Sequence, residues 1–138
     1  MITAGLVDSF KEEILLGVHD LLTDVIKIAL YGDTAVLGPL TTQYTTASEV
    51  SSAGYTAGGQ VLLNPFVSVG NGTGYAGFDD PVWYGTTFSV RAALIYNASK
   101  GNKAVGVLNF GINQVTLTQE FKIQFPTTNA ETALVRIT

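Results

Sequence analysis

Residues Thr86 to Phe110 read TTFSVRAALIYNASKGNKAVGVLNF and predict a β-hairpin at the centre of a sheet. Apolar side chains occupy alternate positions in its first half, as in a strand with one buried face: Phe88, Val90, Ala92, Leu94 and Tyr96. The turn Ser99–Lys103 contains a Gly and an Asn, which tolerate the positive φ of a hairpin loop. The second half, Ala104–Phe110, is almost wholly apolar, so we expect it to be buried on both faces.

One helix is predicted ahead of the hairpin, over residues 9–22. Ser9 and Glu12 have the spacing of a capping box, in which each side chain bonds a free backbone N–H at the helix start. Phe10, Ile14 and Val18 recur at helical spacing and form one apolar stripe. Gly17 interrupts this pattern, so an earlier helix end at this residue is the alternative.

The rest of the chain reads as short strands separated by turns, seven or eight in all with the hairpin. The segments with strand character are Val25–Tyr31, Gln60–Val69 (bent or at an edge because of Pro65), Val82–Tyr84, Val115–Phe125 and Ala133–Ile137. Thr41–Thr46 suits an exposed strand or extended arm, and Gly70–Gly77 a glycine loop.

This arrangement predicts one domain, residues 1–138, of the all-β class. We expect an antiparallel, jelly-roll-like β-sandwich over residues 25–138, preceded by an N-terminal segment with one short helix over residues 1–22.

Charge is scarce and unevenly distributed. Charged residues make up 13% of the chain, against about 25% in typical domains. Between Thr34 and Phe78 the single charged residue is Glu49. Two interpretations are open: a loop-rich β region with a neutral polar surface, or a surface covered by neighbouring chains, since interface cores are depleted in charge.

Composition argues against several classes of protein. The net charge is −4 and no basic cluster is present, which disfavours direct binding of nucleic acid. The absence of cysteine excludes disulfides and thiolate metal sites and is compatible with a reducing compartment. No apolar run approaches the ~20 residues of a membrane span. The N-terminus lacks the basic start of a signal peptide, so we expect neither secretion nor a membrane.

Candidate catalytic groups are few. His19 is the only histidine, so neither a Ser-His-Asp triad nor a His-rich metal site can be built without it. It stands beside Asp20 near the predicted helix end, where we expect a surface or capping residue. Asp79 and Asp80 precede a proline and read as turn residues rather than a calcium pair.

The glycines and aromatic residues do not point to catalysis either. Gly72-x-Gly74-x-x-Gly77 matches a dinucleotide fingerprint literally, but the helix that this motif requires does not follow. We therefore predict no catalytic, cofactor-binding or metal-binding residue and no enzymatic activity. Five aromatic side chains leave open a sugar-stacking platform in a carbohydrate-binding sandwich: Tyr44, Tyr55, Tyr75, Trp83 and Tyr84.

Several short segments resemble one family of viral proteins. The most specific are KIALY at Lys27–Tyr31 and GYTAGG at Gly54–Gly59, supported by GVHD at Gly17–Asp20, ALIYNA at Ala93–Ala98 and LNFG at Leu108–Gly111. In this order they are similar to the capsid cement (decoration) proteins of tailed bacteriophages. None of these segments is a catalytic motif.

The resemblance implies a structural virion protein, made in the cytoplasm of a bacterial host and located on the exterior of an icosahedral head. It implies that the protein binds neighbouring major capsid subunits and reinforces the shell, with self-association as a dimer favoured over a trimer. Another virion part, in the tail, neck or baseplate, is the alternative.

Two contact regions and one turn are predicted for binding the capsid or another copy. The first is the N-terminal segment Met1–Phe10, and the second is the charge-poor region Thr41–Gly59. The lysines of the hairpin turn are a third candidate, facing acidic groups on a neighbour. The candidate contact residues are Ile2, Leu6, Val7, Phe10, Tyr44, Glu49, Tyr55, Lys100 and Lys103.

Overall fold

The structure is a computed structural model that describes residues 1–138. It contains one α-helix and ten strands. In chain order these are β1 (Gly5–Leu6), α1 (Asp8–Leu15), β2 (Ile26–Tyr31), β3 (Gln60–Val61), β4 (Phe66–Gly70), β5 (Thr73–Gly77), β6 (Val82–Thr86), β7 (Ser89–Asn97), β8 (Lys103–Val115), β9 (Gln119–Lys122) and β10 (Val135–Ile137).

The predicted hairpin forms the middle of the largest sheet. Strands β7 and β8 pair antiparallel within a five-stranded sheet of order β1-β8-β7-β2-β3. A short 3-10 helix, Ala98–Lys100, connects them, and Gly101 and Asn102 follow it with positive φ of 66° and 60°. The prediction that a Gly and an Asn adopt positive φ in this turn is therefore confirmed.

Burial along the hairpin differs from the expected pattern. Every residue of β7 from Ala92 to Asn97 is buried, so the alternation of apolar side chains does not correspond to one exposed face. Strand β8 is buried on both faces only from Ala104 to Val107, and Asn109 is exposed. Strand β7 lies at the centre of the sheet between β8 and β2, whereas β8 has only the two-residue strand β1 on its other side.

The two faces of the large sheet are covered by different parts of the chain. Tyr96 donates a hydrogen bond to the Gly58 carbonyl on one face, at 2.6 Å. Its neighbour Asn97 points to the other face, where its amide lies 3.0 Å from His19 at the α1 side. The chain also forms a three-stranded sheet of order β10-β5-β4 and the strand pair β6-β9. The predicted all-β antiparallel sandwich with one short N-terminal helix is confirmed.

The helix is shorter than predicted and begins differently. Val7 is its N-cap and no side chain caps it, so the proposed capping box is wrong; the Ser9 hydroxyl is buried without a partner. The Val7 N–H donates to the Val105 carbonyl on β8 at 3.0 Å. This bond fixes Val7 against the sheet, and the helix begins at the next residue, Asp8. The helix ends near Gly17, whose φ is 71°. No helix in the structure has the length and apolar character to cross a membrane.

One strand prediction and one loop prediction change around residues 60–77. The predicted strand Gln60–Val69 is divided at Pro65 into β3 and β4, which belong to different sheets. The predicted glycine loop Gly70–Gly77 is wrong, since most of it is β5, paired with β4. Asn71 and Gly72 have φ of 51° and 76° and form the two-residue turn that an Asn-Gly dipeptide favours in a hairpin.

The last predicted strands are also shorter. Strand β8 continues to Val115, and Thr118, with φ of 48°, lies in the turn before β9. The predicted strand Val115–Phe125 therefore does not form as one unit. The final strand starts at Val135 rather than Ala133.

Candidate interaction surface

Two residues of the predicted N-terminal contact region belong to the core. Val7 and Phe10 are 0% and 1% exposed, so their prediction as contacts to another protein is wrong. The Phe10 ring lies 4.9 Å from the His19 ring, centroid to centroid. The apolar residues that precede the helix anchor it to the sheet.

The N-terminal segment is fixed along its length instead of extending as a free arm. Strand β1 pairs with Gly106 and Val107 of β8. Ahead of it, the Thr3 N–H donates to Leu37 O at 2.8 Å, and the Leu37 N–H donates to Met1 O at 3.1 Å. Ile2 is half-buried and forms a parallel bridge with Leu37. Leu6 is also half-buried, beside a groove of about 170 Å³ against β8 and Leu134.

An exposed apolar surface forms where this segment meets the start of the charge-poor stretch. Met1, Val36 and Leu40 are 90%, 81% and 86% exposed. They surround an open groove of about 500 Å³ whose other lining residues include Thr3, Pro39 and Thr41–Thr42, and no charged side chain lines it. We call this the Val36 surface: Met1, Thr3 and residues 36–42.

The three predicted contacts in the region Thr41–Gly59 come together, but they bond to one another. The Glu49 carboxylate accepts from the Tyr44 hydroxyl at 2.7 Å, from the Gly58 N–H at 2.7 Å and from the Tyr55 hydroxyl. The Tyr55 oxygen in turn accepts from the Leu30 N–H at 3.0 Å. The polar groups of these side chains are therefore used inside the protein.

This Glu49 cluster covers one face of the central sheet. The Tyr44 ring stacks on Tyr96 at 4.8 Å, and the Tyr31 hydroxyl donates to Thr45 O at 2.6 Å. Burial raises the pKa of Tyr31, Tyr44, Tyr55 and Tyr96, the last to about 12, and the negative charge of Glu49 raises them further. The phenols stay protonated at neutral pH and remain donors.

The outer side of the same segment is exposed and uncharged. Its exposed residues are Thr42, Gln43, Thr46, Ala47, Ser51, Ser52, Ala53, Gly54, Thr56 and Ala57. The one charged residue of the stretch thus bonds inward, and short neutral side chains face solvent.

The two turn lysines pair with acids of their own chain. Lys100 Nζ lies 3.0 Å from Asp24 Oδ1, and Lys103 Nζ lies 3.7 Å from Glu13 Oε2. Their side chains remain 38% and 44% exposed. These ion pairs connect the hairpin turn to the helix and to the segment after it. They account for both lysines without a contact to a second protein.

His19 is a buried structural residue, so its expected place at the surface is wrong. Its side chain is 0% exposed. The Asn97 amide donates to Asp24 at 2.8 Å and, with its second hydrogen, to His19 Nδ1 at 3.0 Å. Since Nδ1 accepts, the ring proton is on Nε2, which donates to Glu13 at 2.8 Å. The partner Asn97 lies far along the chain, so local sequence carries no signal of this burial.

Acid stability should depend on Asp24. Burial tends to raise its pKa, but hydrogen bonds from Asn97, the Asp20 N–H and Lys100 outweigh this and hold the pKa at about 2, against an ordinary 3.8. The unfolded chain therefore binds a proton first as pH falls. We expect the stabilisation by Asp24 to be complete above about pH 5 and to be lost progressively towards about pH 2.

Urea unfolding between pH 7 and pH 2 tests this prediction. The free energy of unfolding of Asp24→Asn should approach that of the wild type as the pH falls. The control is Glu131→Gln, which changes a carboxylate at an exposed position. Parallel profiles for wild type and Asp24→Asn would contradict the prediction.

Of the five aromatic side chains considered for a sugar-stacking platform, only that of Tyr84 is exposed. Trp83 is 6% exposed and packs against Phe121, while Tyr84 is 71% exposed. Tyr44 and Tyr55 belong to the Glu49 cluster, and Tyr75 lies beside Phe66 in a different sheet.

The paired acids of the sequence have structural partners. Asp80 Oδ1 accepts from the Phe125 N–H at 2.8 Å, and Asp79 accepts from the Asn64 side chain. No group of three or more His, Asp or Glu side chains lies close enough together to hold a metal ion.

Sequence reasoning missed Val36 and Leu40, the most exposed apolar residues of the charge-poor stretch. The available signal was two isolated aliphatic residues around Gly38-Pro39, a segment without strand or helix periodicity. Comparison with known proteins found no match among family models, curated proteins or solved structures.

Proposed function

We propose that this protein is a non-enzymatic capsid cement protein that binds the exterior of a phage head and clamps neighbouring major capsid subunits. The observation that carries the proposal is the Val36 surface, an apolar area without charged side chains in a chain with net charge −4. The KIALY and GYTAGG segments support the viral assignment by their resemblance to cement proteins.

The composition of the Val36 surface suits an interface. Three exposed apolar side chains lie among threonines, which matches an apolar contact core with a polar rim. Fully burying such an aliphatic side chain contributes about 1.5–3 kcal/mol. A shell presents many equivalent sites, so contacts that are individually modest act together when one protein touches more than one subunit.

The backbone beneath this surface is already ordered. Met1 and Thr3 are hydrogen-bonded to Leu37, and the Gly38 N–H donates to the Thr41 hydroxyl at 3.0 Å. Binding therefore orders few additional residues, which reduces the entropic cost of association.

Heads with and without the protein provide the test. Heads that carry it should retain DNA to a higher temperature than bare heads. The double variant Val36→Lys/Leu40→Lys should fold normally, because both side chains project into solvent, and its affinity for bare heads should fall by at least about 100-fold. The control is Ile112→Lys/Leu117→Lys, at positions 67% and 74% exposed elsewhere.

The outcomes test the reinforcing role and the Val36 surface separately. Equal DNA loss from decorated and bare heads would overturn reinforcement. Full head binding by Val36→Lys/Leu40→Lys would exclude the Val36 surface. Binding to purified tails, with few copies per particle, would favour a tail, neck or baseplate part. Deleting the first residues is unsuitable, since Val7 lies in the core.

A further inference from the structure

Strand β4 is an open edge of the three-stranded sheet. It lies at the end of the order β10-β5-β4. Phe66, Val67 and Val69 are 53%, 49% and 73% exposed. Soluble proteins commonly protect such edges with charged side chains, bulges or covering loops, yet no charged residue occurs between Val50 and Phe78.

The free backbone groups of this edge follow from the hairpin turn. In a two-residue hairpin, the residues that flank the turn form a hydrogen-bonded pair, here Gly70 and Thr73. Pairs alternate along an antiparallel ladder, so Ser68 and Phe66 also bond towards β5. Val67 and Val69 then direct their N–H and C=O groups outward. Neither residue bonds to a segment outside the sheet.

We propose that β4 pairs antiparallel with β4 of a second copy of this chain, around a two-fold axis at Ser68. In this register Val67 of each copy lies opposite Val69 of the other, and the two pairs exchange four backbone hydrogen bonds. The arrangement joins two three-stranded sheets into one of six strands.

The side chains are self-complementary in this register. The valines share one face of the sheet and form a four-residue apolar cluster across the axis. On the other face Phe66 lies opposite Gly70 of the second copy, and an aromatic ring can cover the open space beside a glycine. Although the protein is acidic overall, β4 itself contains no charged residue.

The length of the edge sets the strength of the dimer. Strand β4 has five residues, or about 17 Å at ~3.4 Å per residue. Such a contact buries less than the ~800 Å² per partner of a standard interface. The dimer is therefore weak, and it forms when copies are concentrated, as on a repetitive surface. The pairing does not depend on the proposed capsid function.

Sedimentation velocity of the purified protein from micromolar to millimolar concentration tests the self-association. The wild type should pass from monomer towards dimer. Val69→Lys, which places two lysines near the axis, should weaken dimerisation at least about 10-fold. Val69→Pro should do the same, since it removes an outward N–H without affecting the bonds to β5. Ile112→Lys, at a similarly exposed position, should dimerise like the wild type.

Amide hydrogen exchange locates the contact. The Val67 and Val69 amides should exchange more slowly as dimer forms, and the Ile112 amide should not change. A protein that stays monomeric at millimolar concentration overturns the proposal, as does a dimer in which the Val67 and Val69 amides remain unprotected. If the wild type stays monomeric but Val69→Lys fails to bind heads, the partner of β4 is a strand of the shell and not a second copy.

Discussion

Replacing Glu49 by alanine should lower the free energy of unfolding by about 3 kcal/mol. Three donors lose their acceptor in this variant: the hydroxyls of Tyr44 and Tyr55 and the N–H of Gly58. Hydrogen bonds to a charged group contribute about 1.5–3 kcal/mol each, and a donor left buried without a partner is itself destabilising. Partial access of water to this cluster limits the total.

Two further variants give this prediction its controls. Glu49→Gln keeps the shape and one acceptor oxygen, so it should lose about half as much stability. Glu131→Ala removes an exposed carboxylate, and its effect should stay within about 0.5 kcal/mol of zero. Urea unfolding at neutral pH measures all three. A Glu49→Ala protein as stable as Glu131→Ala would show that the cluster does not hold the segment on the sheet.

The elements predicted from sequence share one property: their pattern is local. The hairpin β7–β8 was found because its alternation and its Gly-Asn turn lie within one stretch. The Asn71-Gly72 turn was equally local, but the neighbouring glycines suggested a loop, whereas two of them, Gly74 and Gly77, are strand residues in β5. Glycine is poor evidence against a strand where neighbouring chain lies close, as Thr128 does beside Gly77.

The parts that could not be predicted depend on partners distant in sequence. The buried place of His19 requires Asn97, and the core positions of Val7 and Phe10 require β8. The low charge of residues 34–78 is visible in the sequence alone. Composition could not show that the Glu49 side chain bonds inward while Val36 and Leu40 project outward. Which side chains face inward depends on how the segment packs on the sheet.

The charge-poor stretch therefore has an inner side and an outer side with different contacts. On the inside, Glu49 and its tyrosines attach the segment to β2 and β7. On the outside, the segment presents neutral side chains, which would add no like-charge repulsion to the proposed contact. A single charge that is satisfied internally makes both possible, so loss of the inner cluster should also disorder part of the outer surface.

Gly59→Ala should be the most damaging single substitution in this segment, with a loss of at least about 4 kcal/mol or failure to fold. The φ of Gly59 is +76°, and a Cβ atom there would lie 1.7 Å from the Ile28 carbonyl oxygen, in the backbone of β2. No rotamer change relieves a clash with backbone. The turn Gly54–Gly59 must move away from the sheet, which also withdraws the Gly58 N–H from Glu49 and the Gly58 carbonyl from Tyr96.

Gly101→Ala is the control that distinguishes the clash with Ile28 from the strain of a positive φ. Gly101 has φ of +66°, but a Cβ atom there would meet nothing within 4 Å, so alanine should cost only about 1–2 kcal/mol. Urea unfolding and the yield of folded protein measure both variants. The difference between them is the contribution of the contact with Ile28. If the two variants lose equal stability, the segment is not held against β2 as the structure describes. If Gly59→Ala alone fails, the covering of this sheet face is a condition for folding, and the residues of the GYTAGG segment are explained by packing rather than by binding.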